Sequence, residues 1–171
     1  MRQPIDIIAM AGLVLGGALG LAGAAVAEPH LQAFLWAIDS AGLVMAAALL
    51  ALKYFRAGND VVAGGFLVFG LGEGVLVSGT AAGPAGSVPS FGAGTALWAT
   101  ALLLVSVPRF FALPIRILGT VTAILFIVTS ARIFWGETLL PTATPLPGFA
   151  YPLLVLTFIG WIWTLWREGS R

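Results

Sequence analysis

The sequence has no cysteine, one histidine and few charged residues among its 171 positions. The lack of cysteine excludes a disulfide framework, thiolate catalysis and cysteine-ligated metal centres. Only 9% of the residues are charged, whereas a soluble domain carries about 25%. So few charges cannot cover a globular surface in water, but they suffice if lipid covers most of it. The net charge of +1 gives no reason to expect a nucleic-acid partner.

What the sequence does have is a series of long apolar stretches. Hydrophobic residues make up 60% of the chain, and the mean hydropathy is +1.04. A helix that crosses the hydrocarbon core of a membrane needs about 20 such residues. The candidate spans lie near 7–27, 31–53, 61–80, 91–108, 113–135 and 148–166. We therefore predict an all-α membrane protein with six transmembrane helices in a single bundle over residues 1–171.

The basic residues predict how these spans are oriented. Of the eight Lys and Arg residues, Arg132 alone falls toward one side of the predicted membrane. The other seven fall toward the opposite side: Arg2, Lys53, Arg56, Arg109, Arg116, Arg167 and Arg171. Because cytoplasmic loops carry an excess of basic residues, both termini are predicted to be cytoplasmic. The expected location is the bacterial inner membrane, where the lipid bilayer is the main partner.

The first span also resembles a secretory signal, because it ends in Ala25-Val26-Ala27. Its length favours a retained helix. An internal repeat begins at this span, since Asp6-Ile-Ile-Ala aligns with Asp60-Val-Val-Ala. We interpret the chain as three tandem helical hairpins, over about 1–57, 58–112 and 113–171. Chance alignment of Gly- and Leu-rich spans is the alternative.

Small residues follow one another at helical spacing in the first and third spans. Such stripes let helix backbones approach closely in lipid, where no hydrophobic force holds helices together. We expect these two spans to pack on each other through the stripes, and a homo-oligomer interface is the alternative. The residues are Gly12, Gly16, Gly20, Gly70, Gly74 and Ser78.

Three ionisable residues fall within the outer half of the predicted spans. At a helical rise of 1.5 Å per residue, Asp39 lies about 13 Å deep and Glu73 about 10 Å deep, while Arg132 is near the outer end of its span. Ionisable groups are costly inside a membrane. The three form either a structural ion pair or triad, or a water-accessible polar site that binds or conducts a small solute or protons. The acids are merely interfacial if the spans are shifted outward.

The remaining polar residues have simpler interpretations. Asp6 and Asp60 are predicted to cap the first and third helices, and Glu28, His30 and Glu137 to lie in solvated outer loops or at their margins. No nucleophile paired with a base and no cluster with metal-ligand spacing is present. We therefore expect no enzyme activity, no cofactor and no metal.

The six spans, the hairpin repeat, the cytoplasmic ends and Pro29 after the first span together resemble the HdeD-type small bacterial inner-membrane proteins. The resemblance implies an acid-stress-related membrane protein and assigns no biochemical activity. The sequence thus favours a non-enzymatic membrane bundle with an outward-facing polar site around Asp39, Glu73 and Arg132. The alternatives are a small-solute or proton channel or transporter, and an accessory subunit of a larger membrane complex.

Overall fold

The computed structural model describes residues 3–80 and 82–169, without the side chains of residues 84 and 85, and this part of the chain is helical with no strand. Six long helices occupy the predicted spans, with ends that differ by a few residues from those expected. In chain order the helices are α1 (Pro4–Ala25), α2 (Pro29–Arg56), α3 (Asp60–Thr80), the single-turn α4 (Gly83–Gly86), α5 (Val88–Ser106), α6 (Leu113–Phe134) and α7 (Ala150–Glu168).

Proline and glycine set several of the helix boundaries. Pro4 and Pro29 are the first residues of α1 and α2, where the missing N–H of proline would have no helical partner in any case. Gly58 has a φ of 72° in the tight connection between α2 and α3, a conformation that other residues rarely adopt.

Five of the helices, α1, α2, α3, α5 and α6, are long and apolar enough to cross a membrane. Helix α7 has 19 residues but is less apolar, since it carries Tyr151, three tryptophans and Arg167. Large apolar side chains are exposed around the bundle, for example Phe34 and Leu67 at 61% and 55%. Such a surface suits lipid and not water. The chain is therefore a multi-pass α-helical membrane protein.

The six long helices form a closed ring in chain order. Each packs against the next long helix along the chain, and α7 completes the ring by packing against α1. The upper end, as we call it, carries the connections 26–28, 82–87 and 135–149, and the lower end carries 57–59 and 107–112. In the part of the chain that the structure describes, α1 and α3 do not touch.

The glycine stripe of α1 packs on α2, its partner in the hairpin. A Cβ added at Gly12 would lie 2.5 Å from the carbonyl oxygen of Gly42 and 3.0 Å from Cβ of Ala46. The glycine therefore allows two backbones to approach closely. The predicted packing of the first span on the third is wrong, because α2 lies between them.

The stripe of α3 is only partly buried. Gly70 faces α2, where an added Cβ would lie 3.2 Å from Cβ of Ala47. Gly74 has open space around its Cα and Ser78 is exposed, with its hydroxyl donating to the carbonyl of Val75. The upper part of this stripe, Gly74 and Ser78, therefore takes no part in packing within the described chain.

Aromatic side chains fill the middle of the ring. The rings of Phe66 and Trp161 have centroids 4.8 Å apart, and those of Phe69 and Trp98 are stacked at 5.6 Å. These contacts join α3 to α5 and α7 across the bundle. We call this set the aromatic layer: Tyr54, Phe66, Phe69, Trp98, Phe126, Phe158 and Trp161.

An ion-pair network closes the ring at its lower end. The ammonium group of Lys53 on α2 lies 2.7 Å from the carboxylate of Asp6 on α1 and 2.8 Å from that of Glu168 on α7. Asp6 was predicted to cap α1, but α1 begins without a side-chain cap. Glu28 lies in the exposed connection before α2, as predicted, and it also caps α2 by accepting from the backbone N–H groups of His30 and Leu31.

Candidate binding site in the upper half

A cavity of about 580 Å³ lies above the aromatic layer, in the upper half of the ring. Trp98 and Phe126 belong to the layer and also line the cavity, so they form its floor. Its rim includes the exposed residues Pro29, Thr80 and Thr142, which places the opening at the upper end. The connection 135–149 contributes part of the wall, so this segment folds over the mouth of the ring.

Two of the predicted site residues, Asp39 and Glu73, lie in the wall of this cavity. They are 5% and 3% exposed. The Tyr151 hydroxyl donates to Oδ2 of Asp39 at 3.4 Å, and the Ser40 hydroxyl donates to Oε1 of Glu73 at 2.5 Å. The second oxygens, Oδ1 of Asp39 and Oε2 of Glu73, have no hydrogen-bond partner among the residues that the structure describes. The two carboxyl groups are close enough to interact electrostatically.

The third predicted site residue, Arg132, does not line the cavity. Its Nε and Nη2 atoms donate to the carboxylate of Glu137 at 3.0 and 2.6 Å. Glu137 lies just after the end of α6 and pairs with the Arg132 guanidinium there. The prediction that Arg132 lies with Asp39 and Glu73 is corrected accordingly. The Arg132 hydrogen bonds lower the pKa of the Glu137 carboxyl below its ordinary value.

Glycines of α1 make room for the side chains around Asp39. A Cβ added at Gly20 would overlap the Tyr151 hydroxyl and lie 2.8 Å from Oδ2 of Asp39. At Gly16 it would overlap Leu43 and lie 3.2 Å from Oδ1 of Asp39. These two glycines therefore shape the site as well as the helix contact.

Three polar residues of the site were not singled out from the sequence. The Ser40 hydroxyl contacts Glu73, whereas the hydroxyls of Thr129 and Ser130 donate to carbonyls of their own helix. Tyr151 and Trp98 gave no signal beyond their aromatic character. The Trp98 indole N–H lies near the Glu73 carboxyl, although it makes no hydrogen bond of normal geometry.

The site is therefore a partly apolar pocket that presents carboxyl oxygens and hydroxyl groups. No Lys, Arg or His is among its described lining residues. Such a wall accepts hydrogen bonds and attracts positive charge.

Comparison with known proteins does not assign the chain to a family. No family model matches it, and no curated protein and no solved structure matches it either. The resemblance to HdeD-type proteins stays a prediction from the sequence. Function is therefore argued from the cavity.

Proposed function

We propose that the chain is a six-span, non-enzymatic protein of the bacterial inner membrane that binds a small solute in an outward-facing cavity. The observation that carries this proposal is the cavity of about 580 Å³ with two buried carboxyl groups in its wall. Pockets of about 300–1,000 Å³ with apolar walls and a few placed polar groups are typical ligand sites.

The closed ring supports counting α7 as the sixth span. Helix α7 packs between α6 and α1 and runs from the upper end to the lower end. Its residues Leu154, Phe158 and Leu165 are almost completely buried. If α7 lay outside the membrane, the surfaces of α1 and α6 that pack against it would face lipid or water instead.

The charge distribution supports an outward-facing cavity. Lys53, Arg56 and Arg116 lie at the lower end of the ring, whereas Arg132 lies at the upper end. By the positive-inside tendency the lower end and both termini are cytoplasmic. The upper end, with the cavity mouth, then faces away from the cytoplasm.

The geometry favours a binding site over an open pore. The aromatic layer fills the ring directly below the cavity, and Phe66, Phe69 and Phe158 are each 1% exposed. A channel or transporter would require this layer to part. No observation favours the accessory-subunit alternative, and the acid-stress role rests on the sequence resemblance.

The cavity is also poorly equipped for acyl-transfer catalysis. The Ser40 hydroxyl donates to the Glu73 carboxylate and the Tyr151 hydroxyl to that of Asp39, and serine is the usual nucleophile of such chemistry. Ser40 lies in the interior of α2, where backbone N–H groups are bonded within the helix. They are therefore not free to stabilise an oxyanion.

Single cysteines test this proposal cleanly because the natural chain has none. We expect a small water-soluble thiol reagent to label Thr142→Cys and Ser40→Cys in intact cells. Ala57→Cys, in the lower connection, should react only after permeabilisation. Thr122→Cys is the matched control, because Thr122 is fully buried away from the cavity.

Two results would contradict the proposal. Labelling of Ala57→Cys in intact cells would place the lower end outside. Failure of Ser40→Cys to react while Thr142→Cys reacts would mean that the cavity is closed to external solutes.

A further inference from the structure

We infer that the cavity binds a small organic cation, such as a protonated or quaternary amine with an apolar body, and that its charge lies against Asp39 and Glu73. This inference rests on the proposed function and adds the chemical class of the solute. It begins from an imbalance: two acids line the cavity, and no described lining residue supplies a positive charge.

The carboxyl groups are arranged to accept one more partner each. Each uses one oxygen for a hydroxyl, from Tyr151 or Ser40, and leaves the other oxygen without a hydrogen bond. Because Asp39 and Glu73 are more than nine-tenths buried, an unpaired charge on either is costly. A bound cation offsets that cost by electrostatic attraction, and a protonated amine can in addition donate hydrogen bonds to the free oxygens.

The walls indicate that the cation is organic. Aromatic faces attract cations, most strongly where water is excluded. Apolar and aromatic side chains surround the two acids, and they also provide a surface for a hydrocarbon body. The aromatic residues in the wall are Trp36, Phe91, Trp98, Phe126 and Tyr151.

A bare metal ion fits the site less well. Calcium takes about 6–8 oxygen ligands, and magnesium demands an octahedral set. Among the described residues no group of three or more His, Asp and Glu side chains is placed to hold a metal ion. Two carboxylates with two hydroxyl groups in an aromatic pocket leave most of such a shell unfilled.

Among the described residues, three of the five other acids have a cation of their own, and the two that do not, Glu28 and Asp60, are exposed. Asp6 and Glu168 share Lys53, and Glu137 pairs with Arg132. Among these residues a structural carboxylate is thus provided with its own cation. Asp39 and Glu73 are more buried than Glu137 or Glu168, yet their cation is left to come from outside.

The test uses the full chain in lipid nanodiscs and benzyltrimethylammonium as the probe. Binding is followed by tryptophan fluorescence, because Trp36 and Trp98 line the cavity, and by the shift in melting temperature. We expect the double variant Asp39→Asn/Glu73→Gln to bind at least about tenfold more weakly, which corresponds to about 1.4 kcal/mol. Glu137→Gln is the matched control, since it makes the same chemical change outside the cavity, and it should bind as the natural chain does.

The neutral benzyl alcohol and calcium ions alone are the comparison probes. Weaker binding of both than of benzyltrimethylammonium supports the inference. Equal binding of benzyl alcohol would show that only the apolar wall matters. Calcium binding that is lost in the double variant, without binding of the amine, would assign the acids to a metal. Undiminished amine binding by the double variant would also overturn the inference.

A second measurement needs no variant. A hydrophobic carbodiimide reacts with protonated carboxyl groups in apolar sites, and mass spectrometry locates the adduct. We expect benzyltrimethylammonium to reduce modification of Asp39 or Glu73 at least about fivefold, whereas benzyl alcohol should not. Lack of protection would contradict the inference, and it would leave the outward-facing cavity intact if Ser40→Cys is still labelled.

Discussion

The acids in the upper half of the ring and those in the lower half have different kinds of partner. In the lower half, the Lys53 ammonium lies between Asp6 and Glu168. In the upper half, Asp39 and Glu73 accept hydrogen bonds only from hydroxyl groups, and one oxygen of each has no hydrogen-bond partner among the described residues. The aromatic layer fills the middle of the ring, and the cavity lies above this layer in the upper half.

This difference separates a structural role from a functional one. An ion pair that fixes helix positions needs both charges within the chain, and Lys53 provides this for three helices at once. Acids without an internal cation add nothing comparable to stability, because burying an unpaired charge costs free energy. Retaining them in the cavity wall is therefore better explained by a solute than by the fold.

The largest predicted effect concerns the lower network. Lys53→Met leaves Asp6, which is 5% exposed, without its cation, and loss of one partner of a buried pair costs about 3 kcal/mol at the lower end of the usual range. Glu73→Gln should leave the free energy of unfolding unchanged within about 1 kcal/mol, the net size of one hydrogen bond. Unfolding by SDS in mixed micelles measures both.

The comparison of the two halves would fail if the order of these two stability losses were reversed. A larger loss for Glu73→Gln than for Lys53→Met would make the upper acids the structural ones. Arg132→Met serves as the control for removing a basic residue, because its pair with Glu137 is exposed and such pairs add little.

A smaller effect is expected from the glycines of α1. In Gly12→Ala the new methyl group meets the Gly42 carbonyl of the backbone, which cannot move without shifting α2, so stability should fall by about 1–3 kcal/mol. In Gly20→Ala it meets the end of the Tyr151 side chain, which can rotate away. Stability should then fall less, while amine binding weakens because the Tyr151–Asp39 contact is disturbed.

The control for this pair is Gly74→Ala, since Gly74 has open space around it. Melting temperature and probe affinity, measured on all three variants, separate the outcomes. Equal destabilisation by Gly74→Ala and Gly12→Ala would mean that α3 packs through its stripe after all, against another copy of the chain or a partner.

The smallest predicted effect concerns pH and the connection 135–149. Arg132 lowers the pKa of Glu137. The stabilisation that this ion pair gives is therefore complete above the ordinary glutamate pKa of about 4.3, and it is lost as the pH falls through the lowered pKa. A spin label on Thr142→Cys should become more mobile on acidification. The same label with Glu137→Gln should show little change with pH, and an equal response in both would exclude this pair as the cause.

Most of the fold was predictable because lipid imposes strong rules on a sequence. The span lengths and the proline and glycine breaks located all six long helices. The neighbours of each helix were harder to predict, since a glycine stripe shows that something approaches closely but not which helix it is. Gly12 therefore suggested α3 as the partner, whereas the short connection after α1 brings α2 against it.

The site was predictable in its acids and not in its other members. Asp39 and Glu73 were detectable because charges are rare and costly within spans. Arg132 was grouped with them by its depth along the helix, but direction around the helix and the nearby Glu137 decide where its side chain goes. Ser40 and Tyr151 carry no net charge, so their contacts depend on a three-dimensional arrangement that spacing alone does not give.

The order of the helices around the ring has a consequence for biosynthesis. Each long helix can dock on the one inserted just before it, so most of the structure assembles from neighbours in the chain. The contact of α7 with α1 is the exception, and it forms only after α7 has been made. Until then α1 has an unoccupied edge and Lys53 lacks Glu168. Closure of the ring is thus the step at which a membrane quality-control protease could distinguish finished molecules from unfinished ones.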